Sequence, residues 1–322
     1  MKLELLERAL ARRSSLLRDG RTTAVRAVNA RADRLPDVTV DWFDGVAVLS
    51  LYTAFPENEE RALAGGLAAR IGARSVYLKR RPREARLTTK TNPERLAPPW
   101  PLAGESTEEL VAKENGLSFR IRPADGLAVG LYLDMRDTRQ WLRSRVRGRS
   151  VLNCFAYTCA FGVYSHDGGA ARVVNVDLSR RVLDWGEQNL RLNGGVPARS
   201  DHLAGDVFEW LRRFARKGER FDVVILDPPS FSTRKGGVFS ANRDYPTLVD
   251  AAAPVVAQTG WLVACCNLED LPGKRFEALI RRGLERAGRR GRLLERLGPS
   301  AIDFPAHPAE PAALKVRVFE LG

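Results

Sequence analysis

Between residues 150 and 265 the chain repeats one pattern: a short apolar run, a polar or acidic turn, then a longer stretch at helical spacing. The β-like runs fall at 150–155, 172–177, 221–227 and 260–265, and the helical stretches at 159–166, 179–193, 207–217 and 245–256. Strands separated by helices return to the same sheet edge through crossovers, so they pair in parallel. The predicted fold class is therefore α/β, with a Rossmann-like, mostly parallel sheet. Two closing runs, 292–297 and 314–321, have no helix between them and should pair antiparallel if adjacent, which gives an antiparallel C-terminal strand.

The first hundred residues read differently. Residues 3–18 carry an apolar stripe at helical spacing, and short β-like runs follow at 24–27, 38–42 and 46–52, with Phe43-Asp44-Gly45 as a hairpin corner. A helix over 57–71 and a strand over 75–79 complete a small N-terminal α+β domain. The division this predicts is a helix over 1–22, a small domain and linker over 23–105, and the α/β domain over 106–322. Residues 80–105 are rich in Arg, Thr and Pro and have no periodicity. They read as an RNA-facing stretch or as a solvated connector. Residues 114–133 alternate in strand fashion around an Ala124-Asp125-Gly126 turn, and a helix over 135–145 follows.

Charge points to the partner. The 322 residues carry a formal net charge of +13, most of it from arginine, which forks onto phosphate and stacks on bases. A GC-rich coding bias explains the choice of Arg over Lys but not the excess of base over acid, so a nucleic acid is expected and a membrane is not. The chain opens Met1-Lys2-Leu3-Glu4 without an apolar leader, and no run of about 18 uncharged apolar residues occurs, so a cytoplasmic protein is expected. Four cysteines and three histidines show no disulfide or zinc spacing, so no metal is expected.

Ligands of doubly wound sheets bind outside the carboxyl ends of the strands. The run Val151-Leu152-Asn153-Cys154-Phe155 ends in Ala156-Tyr157-Thr158-Cys159-Ala160, and the next run ends at Asp177, placed to accept hydrogen bonds from ribose hydroxyls. Gly205-Asp206-Val207-Phe208 brings a second carboxylate that can take an adenine amino group. Either aspartate alone also suits a helix N-cap. The first turn lacks the G-x-G-x-x-G needed for close approach to a pyrophosphate, which disfavours a dehydrogenase and favours a cofactor without phosphate. The sharpest motif is Asp227-Pro228-Pro229-Ser230-Phe231, where an apolar strand delivers a carboxylate and a stiff loop presents an aromatic face able to hold a flipped base.

These motifs, with Glu114-Asn115-Gly116-Leu117 and residues 130–136 (GLYLDMR), resemble the bacterial 23S ribosomal RNA methyltransferases of the cytosine-C5 type and the related guanine-N7 methyltransferase domain. Residues 153–161, 177–179, 189–194 and 227–232 carry the likeness, and Arg26-Ala27-Val28-Asn29 and residues 35–41 resemble the family's small central domain. The resemblance implies a class I methyltransferase sheet and S-adenosylmethionine as cofactor. It implies cofactor contacts from Asn153, Phe155, Tyr157, Thr158, Asp177, Leu178, Asp206, Val207, Asp227, Tyr132 and Arg136, and base contacts from Asp227, Pro228, Pro229 and Phe231. The implied partner is ribosomal RNA, and a homodimer is among the assemblies left open.

Two departures are visible. The cytosine enzymes begin with an RNA-binding PUA domain, which this chain is expected to lack. Cytosine C5 needs a cysteine thiolate to add at C6 first, and the motif that carries it reads Ala264-Cys265-Cys266-Asn267 here. Cys265 is in register as the nucleophile, and equally suits a small buried hydrophobe at a strand end. Guanine N7 needs no thiol, so a guanine-N7 or exocyclic-amine enzyme is the alternative, and a non-catalytic ribosome-assembly factor is the rival of another class. Cys159 stands where the relatives have glycine, and Cys154 and Cys159 read as packing residues.

Overall fold

The computed structural model describes residues 2–18, 20–81, 92–229, 231–234, 237–308 and 312–322, with backbone alone for residues 2–3, 231–234 and 237–239. It forms two compact units, Met1–Leu133 with Ser300–Glu310, and Asp134–Pro299 with Pro311–Gly322. Among the described residues no helix is long and apolar enough to cross a membrane.

In the first unit, helix α1 (Lys2–Arg12) precedes strands β1 (Ala24–Asn29), β2 (Val38–Phe43) and β3 (Val46–Leu51), helix α2 (Glu57–Ile71), and strands β4 (Ser75–Arg80) and β5 (Ala103–Gly104). The strands form one sheet in the order β1-β2-β3-β4-β5. Phe43 pairs with Val46 across the two-residue turn Asp44-Gly45, both with positive φ (45° and 87°), as a type I′ turn requires. The crossover helix α2 makes β3 and β4 parallel. Its Leu63 and Leu67 and the α1 residue Leu6 bury one sheet face of Val28, Val40, Leu49 and Leu78.

Strands β6 (Leu110–Glu114) and β7 (Leu117–Ile121) form a hairpin within the same unit. Its turn is Asn115-Gly116, with φ of 51° and 84°, so the strand pairing expected around Ala124-Asp125-Gly126 is corrected. Asn-Gly is the stronger signal because both of its residues tolerate positive φ. The expected boundary at 105/106 falls inside this unit, since Thr23 N–H donates to the Lys113 carbonyl (2.8 Å) and Tyr77 Oη donates to the Thr107 carbonyl (2.9 Å). Of the stretch 80–105, residues 82–91 lie outside the described residues.

A buried charge network holds this unit. The Arg13 guanidinium donates to both Asp33 carboxylate oxygens (2.9 and 2.6 Å), to the Arg26 carbonyl (2.9 Å) and to the Asp303 carbonyl (3.0 Å). Asp303, though near the chain's end in sequence, accepts from the Arg26 N–H at 3.1 Å, and Phe304 lies 4.7 Å beneath the Arg26 guanidinium.

The second unit contains the expected α/β alternation. Helix α3 (Arg136–Arg143) leads into β8 (Ser150–Cys154), α4 (Ala160–Asp167), β9 (Arg172–Asp177), α5 (Arg180–Leu192), β10 (His202–Ala204), α6 (Val207–Arg216) and β11 (Phe221–Leu226). After a small hairpin, β12 (Phe231–Arg234) and β13 (Gly237–Ser240), come α7 (Ala241–Ala252), β14 (Val256–Cys266), α8 (Gly273–Arg286), β15 (Gly291–Leu297) and β16 (Lys315–Leu321). The sheet order is β10-β9-β8-β11-β14-β16-β15. β14 and β15 both pair antiparallel with β16, and the other neighbouring pairs of this sheet are parallel.

Period-two alternation decides the two faces. Leu152, Val174, Val224 and Leu226 pack with α6, α7 and α8 through Leu211, Leu248 and Ile280. Val151, Val223, Ile225 and Val263 pack with α3 and α4 through Leu142 and Phe161. Sequence reading omitted α8, whose opening Pro272-Gly273 resembles a turn, and placed α7 four residues late. The Ser240 N–H accepted by Asp244 at 2.9 Å sets the true start of α7.

Removing one partner of a buried ion pair strands the other in low dielectric. Asp33→Ala should lower unfolding stability by about 3–5 kcal/mol in urea titration, and an unchanged midpoint would show that Arg13 does not depend on it.

Candidate active site at the carboxyl edge of the sheet

The strand ends of the second unit converge as parallel strands must. After β8 the chain turns through residues 155–159 with an alternation that sequence reading did not anticipate. Phe155, Tyr157 and Cys159 all have positive φ (60°, 49° and 59°), and none is glycine. Each such residue costs roughly 1–2 kcal/mol unless its surroundings fix it. Here they do. Ala156 N–H donates to the Val176 carbonyl (3.0 Å), Tyr157 N–H to Asp177 Oδ2 (2.9 Å), and the buried Asn189 amide to the Thr158 carbonyl (3.1 Å). Gly186 on α5 permits the close approach, because a Cβ there would lie 2.3 Å from the Cys159 sulfur.

Asp177, at the end of β9, also accepts the Ser179 N–H at 3.0 Å through Oδ1. Burial raises its carboxyl above the ordinary range, and the N–H groups of Ser179 and Tyr157 pull it back. Beside it Leu178 is 71% exposed, a large apolar side chain open to a ligand at the mouth of the site. Asp206, after β10, is half-buried and caps α6 through the Glu209 N–H at 3.1 Å, so it performs the capping role that its position allows.

The remaining residues expected at the cofactor are distributed unevenly. Phe155 and Tyr157 are partly accessible, whereas the side chains of Thr158 and Val207 are buried. Asn153 is buried in β8, where its amide donates to Asn175 Oδ1 at 3.0 Å. Arg136 is buried on α3. Tyr132, 52% exposed, belongs to the first unit.

Asp227 follows β11, between strands that end at Cys154 and Cys266. Desolvation pushes its carboxyl up to about 7, the Asp134 carboxyl adds to this, and the Arg139 guanidinium opposes it. Pro228 is buried and Pro229 exposed, so the loop turns outward at once. Phe231 opens β12, paired with Ser240, and its side chain and Ser230 lie outside the described residues.

Sequence reading assigned no role to Asp134, Arg139 or Tyr245. Arg136 and Arg139 stand three residues apart on one helix face, both buried, and that spacing was the available signal. Tyr245 Oη lies 3.2 Å from the Leu226 carbonyl and 2.9 Å from the Cys265 carbonyl, tying together the ends of β11 and β14. No local pattern marks such a residue.

Cys265 is fully buried among Val263, Phe161 and Met135. Burial raises its thiol well above the ordinary range, and the Asp227 carboxyl, Cys266 and Asp134 raise it further. In this conformation the thiol is held protonated, the opposite of the electropositive setting that makes a reactive thiolate.

Comparison with known proteins places this architecture. The model of the S-adenosylmethionine-dependent methyltransferase family matches residues 26–319. Ribosomal RNA large subunit methyltransferase I of Aeromonas salmonicida is 34% identical over 316 residues, covering 96% of this chain and 77% of that protein. The protein of the same name from Photobacterium profundum is 34% identical over 309 residues, covering 94% and 75%. Among solved structures, a methyltransferase complexed with SAH has a TM-score of 0.87 at 25% identity, covering 99% of this chain and 80% of that one. A SAM-dependent methyltransferase from Streptococcus mutans has a TM-score of 0.86 at 25% identity, with the same coverage.

The raised Asp227 carboxyl fixes the sign of a pH effect. Its folded-state value, about 7, lies above the ordinary 3.8, so the stability it contributes is complete below about pH 4 and is lost as pH rises through 7. Asp227→Asn, neutral throughout, should melt higher than the parent at pH 8 and show a flatter pH–stability curve. Parallel curves for the two proteins would mean that Asp227 is not desolvated.

Proposed function

We propose that this chain, which belongs to the S-adenosylmethionine-dependent methyltransferase family, transfers a methyl group to a base of large-subunit ribosomal RNA in the cytoplasm. The observation that carries this reading is the meeting of two unlike carboxylates on one sheet edge, Asp177 held by backbone donors and Asp227 desolvated before a Pro-Pro turn. S-adenosylmethionine supplies an electrophilic methyl group and carries no phosphate, in keeping with a first turn that has no glycine-rich cradle. Asp177 would take the ribose hydroxyls, exposed Leu178 one face of the adenine, and Asp206 the adenine amino group with an oxygen not used in capping. Phe155 and Tyr157 would line the same pocket. Asn153, Thr158 and Val207 would shape it from beneath.

Asp227 would set the polar edge of the target base and Pro228, Pro229 and Phe231 its position, so that transfer proceeds in line by positioning. Arg136 and Arg139 would steady the carboxylates from α3. The first unit would help hold RNA, as the basic excess of the whole chain favours.

The register of Cys265 supports cytosine C5 as the acceptor atom. In that reading the thiol first gives up its proton, the sulfur adds to C6, C5 takes the methyl group, and loss of the C5 proton expels the sulfur. Asp227 is the neighbouring group able to accept a proton near neutrality. The burial of Cys265 favours a second reading, methylation of a ring nitrogen such as guanine N7, which needs no thiolate.

Two measurements separate these statements. Asp177→Ala should weaken S-adenosylmethionine binding about 10- to 100-fold in calorimetry, since hydrogen bonds to a charged group contribute roughly 1.5–3 kcal/mol. Undiminished binding would remove the ribose assignment. Mass mapping of ribosomal RNA methylated by the parent and by Cys265→Ala should show a methylcytosine that disappears in the variant. An active Cys265→Ala protein would transfer the function to the nitrogen reading.

A further inference from the structure

The outer face of α6 carries a feature that methyl transfer does not use. An open groove of about 730 Å³ runs along this helix beside the end of β10 and is lined by Gly205, Trp210, Arg212, Arg213 and Arg216, with Glu209 as its one acidic residue. Trp210 is anchored, its indole N–H donating to the Ala204 carbonyl at 3.3 Å, and a Cβ on Gly205 would come within 2.9 Å of that nitrogen. The Arg213 guanidinium lies 4.6 Å over the indole ring, forming a flat cationic and aromatic platform. Arg212 donates to the Phe208 carbonyl (3.1 Å), and among the described residues none of Arg212, Arg213 and Arg216 forms a salt bridge.

Three exposed guanidinium groups within five residues repel one another, and folding gains nothing from leaving them without acids. Several other arginines of this unit are neutralised: Arg172 by Glu219, Arg180 by Asp184 and Glu187, and Arg317 by Glu277. A polyanion with flat bases satisfies every part of the groove. Arginine forks fit phosphodiesters, and a stacked Arg-Trp pair offers a base a face without demanding a sequence. The groove opens at Gly205, one residue before Asp206 on the ligand edge of the sheet, so a strand lying in it leads toward the cofactor end of the site.

We infer that the α6 groove is an RNA-docking track, in which Arg212 and Arg216 hold backbone phosphates and the Arg213–Trp210 platform takes an unpaired base of a single-stranded segment flanking the target. This inference rests on RNA being the substrate. The test compares the full chain with Arg212→Gln/Arg213→Gln/Arg216→Gln, and with a charge-matched control, Arg282→Gln/Arg286→Gln/Arg290→Gln, altered at exposed positions on and after α8. Each protein is titrated with a large-subunit ribosomal RNA fragment over a salt series, with S-adenosylmethionine calorimetry to verify the fold.

The groove variant should bind RNA at least about tenfold more weakly, with a salt slope shallower by about 1.4, as expected for two lost phosphate contacts to a single strand. Its KM for RNA should rise while kcat changes little, and its cofactor affinity should match the parent's. If the groove variant and the control lose affinity equally, the effect is one of net charge and the track is overturned. Unchanged RNA affinity in the groove variant overturns it as well, while RNA methylation by the parent stands. A parent chain that neither binds nor methylates RNA would overturn the substrate reading itself, and the track with it.

Discussion

The site depends on how a carboxylate is tolerated at the end of a buried parallel strand. Such a position is poor in water, and the strand has already committed its backbone groups to its neighbours, so an acid there must either find donors or hold its proton. Asp177 takes the first course. Two N–H groups from separate loops, Tyr157 and Ser179, converge on it and keep the charge available. Asp227 takes the second, with burial and Asp134 raising it and the Arg139 guanidinium opposing them. One architecture thus yields a carboxylate held by backbone donors at one strand end and a group near its titration point at another.

The Asp177 bonds also explain how residues 155–159 survive without glycine. Three side-chain-bearing residues in the left-handed region would together cost several kcal/mol in an isolated loop. The loop instead closes on fixed points, namely the Val176 carbonyl, the Asp177 carboxylate and the amide of Asn189 on α5. Strain held by surrounding structure is rigidity, and a rigid first turn presents its backbone to a ligand without further ordering. Cys159, a side-chain-bearing residue at φ 59°, therefore reports that the turn is determined by its neighbours and not by the freedom of a glycine.

What was legible in the sequence follows from range. The parallel sheet, its antiparallel closing strand, the Asp44-Gly45 turn and the succession of strand-end aspartates are encoded in windows of a few residues, where period and turn chemistry act directly. The Asn115-Gly116 hairpin was equally local but was passed over because the alternation on both sides of it also suited a longer strand. Tyr245 could not be read, because its hydroxyl matters only when β11 and β14 lie side by side. The same holds for Cys265. Its register in the sequence suggests a nucleophile, yet its reactivity depends on burial and on carboxylates contributed by Asp227 and Asp134, neither of which is its sequence neighbour.

The network around Arg13 carries this lesson to the level of folding. Four of its acceptors come from residues 9–33, but a fifth is the carbonyl of Asp303, separated by 290 positions along the chain. Asn29 similarly donates to the Pro305 carbonyl at 3.2 Å. The first unit is therefore not a module that closes once its own strands are made. Its sheet and helices can assemble from local contacts, but the buried guanidinium is fully satisfied only after the loop between β15 and β16 arrives, and that loop is anchored at both ends by strands of the other unit. Contacts of such separation close late, because loop entropy must be overcome before they contribute. A chain with this connectivity couples completion of its small unit to the arrival of a loop that the sheet's last two strands flank, so the small unit is not finished before that loop is in place.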